Sequence, residues 1–358
     1  MAASSSRQRV SRTGHRAQSS GLSAIAGILL AIAAASLPLY GQRGQGNGNF
    51  PQPAGERAVT VAAIPDVIAA GATWTRAWGG TDNADGLVGM PDGSLLFAQE
   101  QPSRVRKLDP NNNSTVFTEG THGAGSLALD AQGRLYAVQR TCTDPGLNGA
   151  PCSEPTAIAI IYPENARRTL ATSFDGKGLG RINDLVVAKN GHVYFTSGGA
   201  FHMTPQGEVS AVGTDLRTNG IMLSRDERTL YITNGATIAA LDVQPDGSTA
   251  NQREFGKLEG GGNGDGLAID ADGRLYVTTN PGVQVLGPDG KYLGLIPTPR
   301  GVISAAFAGP SKQRLYVVGS GALNPDGTEV ATPPGVRNNA KTIFSIPMIA
   351  RGFAARAK

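Results

Sequence analysis

The stretch DGLAIDADGRLYVTT, Asp265 to Thr279, decides the fold. Gly266 to Asp270 reads as a short strand, and Ala271-Asp272-Gly273 as a tight turn. Arg274 to Thr279 is a second strand, rich in β-branched and aromatic residues. Val283 to Leu286, a Pro-Asp-Gly turn at 288–290 and Lys291 to Ile296 supply two more strands. One unit therefore holds four strands. Five other copies begin at Asp85-Gly-Leu, Gly125-Ser-Leu, Asn183-Asp-Leu, Asn219-Gly-Ile and Ser304-Ala-Ala. Their second strands read LLFAQ, LYAVQ, VYFTS, LYITN and LYVVG. The copies advance by 40, 58, 36, 46 and 39 residues, which is the spacing of propeller blades. The long step contains the two cysteines and reads as an insertion. No long stretch of period 3.6 follows residue 56, which disfavours a helical solenoid.

The expected fold is all-β: a six-bladed β-propeller over residues 56–350, with four-stranded antiparallel blades around a central channel. Residues 351–358 form a C-terminal tail. A ring must hide its last sheet edge. The segment Thr342-Ile-Phe-Ser-Ile-Pro is expected to pair with Val59 to Ala63 or with Trp74 to Trp78. A β-sandwich is the alternative, and six matched units argue against it.

The register carries chemistry. The first strand of each blade lines the channel, so residues at its beginning gather at one mouth. These are Asp85, Gly125, Asn183, Asn219, Asp265 and Ser304. Two carboxylates and two carboxamides are oxygen-only donors, suited to a hard cation that takes about 6–8 oxygens. Two buried carboxylates repel unless a cation lies between them. Asp-Gly and Asn-Gly are also ordinary turn dipeptides. However, each copy has its own separate turn a few residues later: PDG, AQG, KNG, RDE, ADG and PSK. The metal candidates are therefore Asp85, Asn183, Asn219 and Asp265. Calcium is the first choice, with zinc, manganese or magnesium behind it.

Other constellations are thin. There is no G-x-S-x-G elbow, phosphate loop or H-E-x-x-H pair. His15 and His192 are read as inert, while His122 and His202 are within reach of the channel mouth. Solvated loop roles are the simpler reading for both. Tyr136, Tyr194, Tyr231, Tyr276 and Tyr316 recur at one register and read as blade packing.

The chain of 358 residues has a formal charge of +4, but Arg7, Arg9, Arg12 and Arg16 all lie before residue 21 with no acid among them. The remainder is near neutral, so no basic surface for nucleic acid is indicated. An uncharged apolar run follows at 21–40. Residues 1–41 thus read as a signal peptide or an N-terminal anchor, and 42–55 as a Gly/Gln/Pro-rich linker. Export to the periplasm or exterior is expected, with membrane contact only through that anchor. Cys142 and Cys152, in a Gly/Pro-rich stretch, read as a loop-stapling disulfide in an exported protein.

INDLVVAKNGHVYFTS, TNGIMLSRDERTLYITN and GDGLAIDADGRLYVTT, with the leading Asp85-Gly, resemble segments of the gluconolactonase, senescence-marker-protein and luciferin-regenerating-enzyme family. The likeness covers roughly residues 75–350. It implies a six-bladed propeller, a calcium-type ion at one channel mouth and hydrolysis of lactones. By motif position, Asn183, Asn219 and Asp265 match metal ligands, and Asp265 also matches the catalytic carboxylate. Arg181 matches a substrate-contacting arginine, and Asn183 shares that role. Asp184 matches a ligand or a support for ligands. The family usually has Glu in a Glu-Gly-Pro segment where this chain has Asp85-Gly-Leu. The implied partner is a small lactone or sugar acid, and a monomer is expected. The competing functions are a phosphotriesterase or arylesterase on the same metal site and a non-catalytic propeller that binds a ligand or protein.

Overall fold

The computed structural model describes residues 55–140, 155–260, 262–334 and 336–355. Six four-stranded antiparallel sheets follow one another along the chain as a six-bladed propeller. Blade 1 is Asp85–Gly89, Leu95–Gln99, Arg104–Leu108 and Ser114–Glu119. Blade 2 is Ala124–Leu129, Leu135–Gln139, Ala157–Tyr162 and Arg168–Ala171. Blade 3 is Asp184–Val187, Val193–Thr196, Ala200–Met203 and Val209–Val212. Blade 4 is Thr218–Leu223, Thr229–Asn234, Thr237–Val243 and Thr249–Lys257. Blade 5 is Leu267–Ile269, Leu275–Thr278, Gly282–Leu286 and Tyr292–Pro297. Blade 6 is Val302–Ala308, Arg314–Ser320 and Lys341–Pro347, completed by Thr75–Gly79 from the start of the propeller.

Closure is thus made by the second of the two expected segments. Thr75 pairs with Ser345 and Gly79 with Thr342. Val59 to Ala63 forms no strand. Val61, Ile64, Val67 and Ile68 instead bury against Tyr276, Val283, Ile296 and Phe344 of blades 5 and 6. Residue 351, expected in the tail, accepts a hydrogen bond from Ala271 N at 2.7 Å. The long step between the second and third copies has two parts. One is the 141–154 stretch with Cys142 and Cys152, which lies outside the described residues. The other is a small extra hairpin, Ser173–Phe174 with Lys177–Gly178. Residues 1–41, expected as a signal peptide or anchor, and nearly all of 42–55, expected as a linker, also lie outside the described residues.

The first hairpin of each blade is built alike. The third residue of each turn has a positive φ: Gly93, Gly133, Gly191, Glu227, Gly273 and Lys312. Asp130 and Asp270 hold their turns by accepting two backbone N–H bonds on one carboxylate oxygen. The recurrent tyrosines are all buried, as their register implies. The inner strands carry apolar side chains into the seams between blades, where Leu87, Leu127, Leu185, Ile221 and Leu267 are fully covered. Burial of that kind contributes about 1.5–3 kcal/mol per large side chain. It fixes the beginnings of all six inner strands around one end of the channel.

Candidate metal centre at the channel mouth

The glycine after Asp85, Asn219 and Asp265 has a packing reason. A Cβ on Gly220 would lie 2.3 Å from the carbonyl oxygen of Asp265. On Gly266 it would lie 2.8 Å from Ile303 O, and on Gly86 2.7 Å from Ser126 Cα. Neighbouring inner strands meet backbone to backbone at these points. Gly220 N donates to Asp265 O at 3.0 Å, and Gly266 N donates to Ile303 O at 3.0 Å. These dipeptides are therefore places where blades touch, and the polar residue before each glycine projects at the mouth.

Asp85, Asn183, Asn219 and Asp265 are each partly exposed there. The amide of Asn183 donates to the amide oxygen of Asn219. Arg181, exposed, donates from Nη1 to Asn183 Oδ1 at 3.4 Å. Asp265 feels Asp85, Arg140, Asp184 and Arg181 electrostatically, so the expected residues form one cluster. Its carboxyl is pushed up to about 8, first by loss of solvent and then by Asp85. Arg140 and Arg181 pull it back, and Asp184 adds to the rise. No hydrogen bond from the described residues reaches the Asp265 carboxyl.

Asp184 is a strap. It is buried, accepts the Ser126 hydroxyl at 2.6 Å on Oδ1, and accepts Ile221 N at 3.0 Å on Oδ2. It thereby ties blades 2, 3 and 4 at the mouth.

Sequence reasoning missed Arg140 and Glu100. The register position left empty by Gly125 is filled from the next strand by the Arg140 side chain. A Cβ on Gly125 would come within 2.4 Å of Arg140 Cδ. Arg140 is 3 % exposed. Its Nη1 donates to Asp85 Oδ2 at 2.7 Å, its Nε to Ile182 O at 3.1 Å, and its Nη2 to Asn183 O. Glu100, fully buried, stands 3.9 Å from the same guanidinium. A signal was present: four residues past the second-strand aromatic or its equivalent stand Glu100, Arg140, Gly198, Gly235, Asn280 and Ser320. Charge appears in two adjacent blades, with opposite sign.

His202 does not reach the mouth. It stacks on His192, with His192 Nδ1 and His202 Nε2 2.6 Å apart, at the far end of blade 3. His122 is exposed on the connection into blade 2.

The donors fit a hard divalent cation in kind. They are oxygen-only, and among the described residues no donor reaches Asp265, which faces other carboxylates. Formal charge agrees: Asp85, Glu100, Asp184 and Asp265 stand against Arg140 and Arg181, a deficit that a dication would fill. Among the described residues no three His, Cys, Asp or Glu form a metal cluster by themselves. An ion held at this mouth would need the amide oxygens of Asn183 and Asn219 as well.

The gluconolactonase of Zymomonas mobilis is 26% identical over 298 residues, covering 71% of this chain and 78% of that protein. Regucalcin of Xenopus laevis is 28% identical over 243 residues, covering 63% and 79%. A gluconolactonase structure from Xanthomonas campestris superposes with a TM-score of 0.63 at 20% identity, covering 84% of this chain and 98% of that one. The profile of the SMP-30/Gluconolactonase/LRE-like region matches residues 71–321. The chain belongs to that family.

Proposed function

We propose that the protein is a lactonase-type hydrolase that opens the ring of a small lactone with the help of a divalent ion, calcium first. The observation that carries the reading is the donor-free Asp265 carboxyl among oxygen donors at the channel mouth of a family whose relatives include gluconolactonases. Asp85, Asn183, Asn219 and Asp265 would hold the ion. When bound, such an ion polarises a carbonyl oxygen and makes its carbon easier to attack.

The remaining steps belong to the chain. Asp265 removes a proton from the attacking water as the new C–O bond forms. The tetrahedral species then collapses by breaking the bond to the ring oxygen, and Asp265 returns the proton to that oxygen. The product is a hydroxy acid, which releases a proton to solvent. Arg181 stands exposed beside Asn183, where its guanidinium can orient substrate hydroxyls or steady negative charge. We also propose that the protein is exported, a reading supported by the four arginines before residue 21 and the uncharged apolar run at 21–40.

The test is hydrolysis of a panel of sugar and aliphatic lactones, followed by proton release with calcium and then with a chelator. Chelator-sensitive turnover is expected. A protein whose melting temperature rises with calcium but which opens no lactone would favour a binding propeller instead.

A further inference from the structure

Arg140 is unusual for its position. A buried guanidinium is costly unless it is paired and hydrogen-bonded, and this one is fully engaged. It bonds Asp85, Ile182 O and Asn183 O, and it faces Glu100. Two other features serve it. Gly125 has no side chain where any Cβ would strike Arg140, and Asp85 is short enough to sit on Gly86 N at 2.8 Å with one oxygen and on Arg140 with the other. Both Asp85 oxygens are thus already accepting hydrogen bonds.

We propose that Arg140 is a built-in counter-cation that competes with the metal ion for Asp85, and so sets how tightly the ion is held. This rests on the metal reading above. The positive charge of Arg140 stabilises the ion-free mouth by neutralising Asp85 and Glu100. The same charge repels an arriving dication and withholds one of its two carboxylate ligands. Removing Arg140 should therefore weaken the ion-free fold and tighten ion binding together. A guanidinium with a merely structural role would weaken the fold with and without the ion alike.

The experiment is calorimetric titration of the full chain, stripped by chelator, with calcium chloride, alongside melting curves with and without calcium. Arg140→Met is expected to bind calcium at least tenfold more tightly than the unaltered protein. It should melt lower without calcium and recover most of the loss with it. Arg140→Lys keeps the charge and should stay within about threefold of the unaltered affinity. Should Arg140→Met fail to fold, Gly125→Ala crowds the same side chain off Asp85 and should also raise affinity. Equal or weaker calcium binding by Arg140→Met, or by Gly125→Ala, overturns the proposal. So does an Arg140→Lys protein that binds as tightly as Arg140→Met. Absence of calcium binding in every protein overturns the metal reading itself, and the proposal with it. Binding seen only when Arg140 is replaced supports the proposal in its strongest form.

Discussion

The two halves of the channel mouth are held together differently. From blade 4 to blade 6 the inner strands touch through backbone, with Gly220 bonded to Asp265 O and Gly266 to Ile303 O. From blade 1 to blade 4 the bonds run through side chains: Arg140 to Asp85 and to Asn183 O, Ser126 to Asp184, and Asp184 to Ile221 N. Among the described residues no donor reaches the Asp265 carboxyl, whereas Asn219 accepts one hydrogen bond, from Asn183, and Asp85 accepts two. The proposed base, Asp265, lies in the half whose inner strands meet through backbone, while Asp85 and Asn183 lie in the half tied by side chains.

That contrast can be broken in order of effect. Asp265→Asn keeps the backbone latch and removes the proposed base, so it should cut kcat by about 10²–10⁴-fold with little change in melting temperature. Retention of most activity by that variant would exclude Asp265 as the base. Gly220→Ala does the reverse, since its Cβ would overlap Asp265 O; it should cost about 1–3 kcal/mol in chemical denaturation. Ser126→Ala removes one side-chain tie in the other half, and a loss of about 1 kcal/mol is expected.

The pH dependence sharpens the same point. Asp265 titrates near 8 in the folded, metal-free protein and near 4 when unfolded. The native state therefore binds more protons across that window, and metal-free stability should fall as pH rises through it. Asp265→Asn should flatten that slope. At the opposite end of the channel, burial pushes Lys312 down to about 8. There the unfolded chain holds more protons between about 8 and 10, so stability should rise with pH across that range. Lys312→Met should abolish this rise and lift the melting temperature at pH 7 by about 2–4 °C or less.

Much of the site was legible because propeller symmetry turns a linear register into a ring. Asp85, Asn183, Asn219 and Asp265 share one position in their copies, and any closure of the repeat brings them together. Arg140 was not legible by that rule, because it reaches the ring from the end of a second strand through the gap at Gly125. His202 was misplaced for a similar reason: proximity along the chain to the third inner strand does not say at which end of the blade a residue stands. The hairpin pairing of Tyr194 with His202 decides that.

The sequence by itself determined the number of blades, the turns, the tyrosine packing positions and the candidate ligands, because each depends on local pattern repeated at a period. Only the tertiary structure decided which early segment closes the ring, why glycine follows three of the polar residues, and which carboxylate is already paired. Those outcomes depend on how near two inner strands approach, a distance of a few ångströms that no single blade encodes.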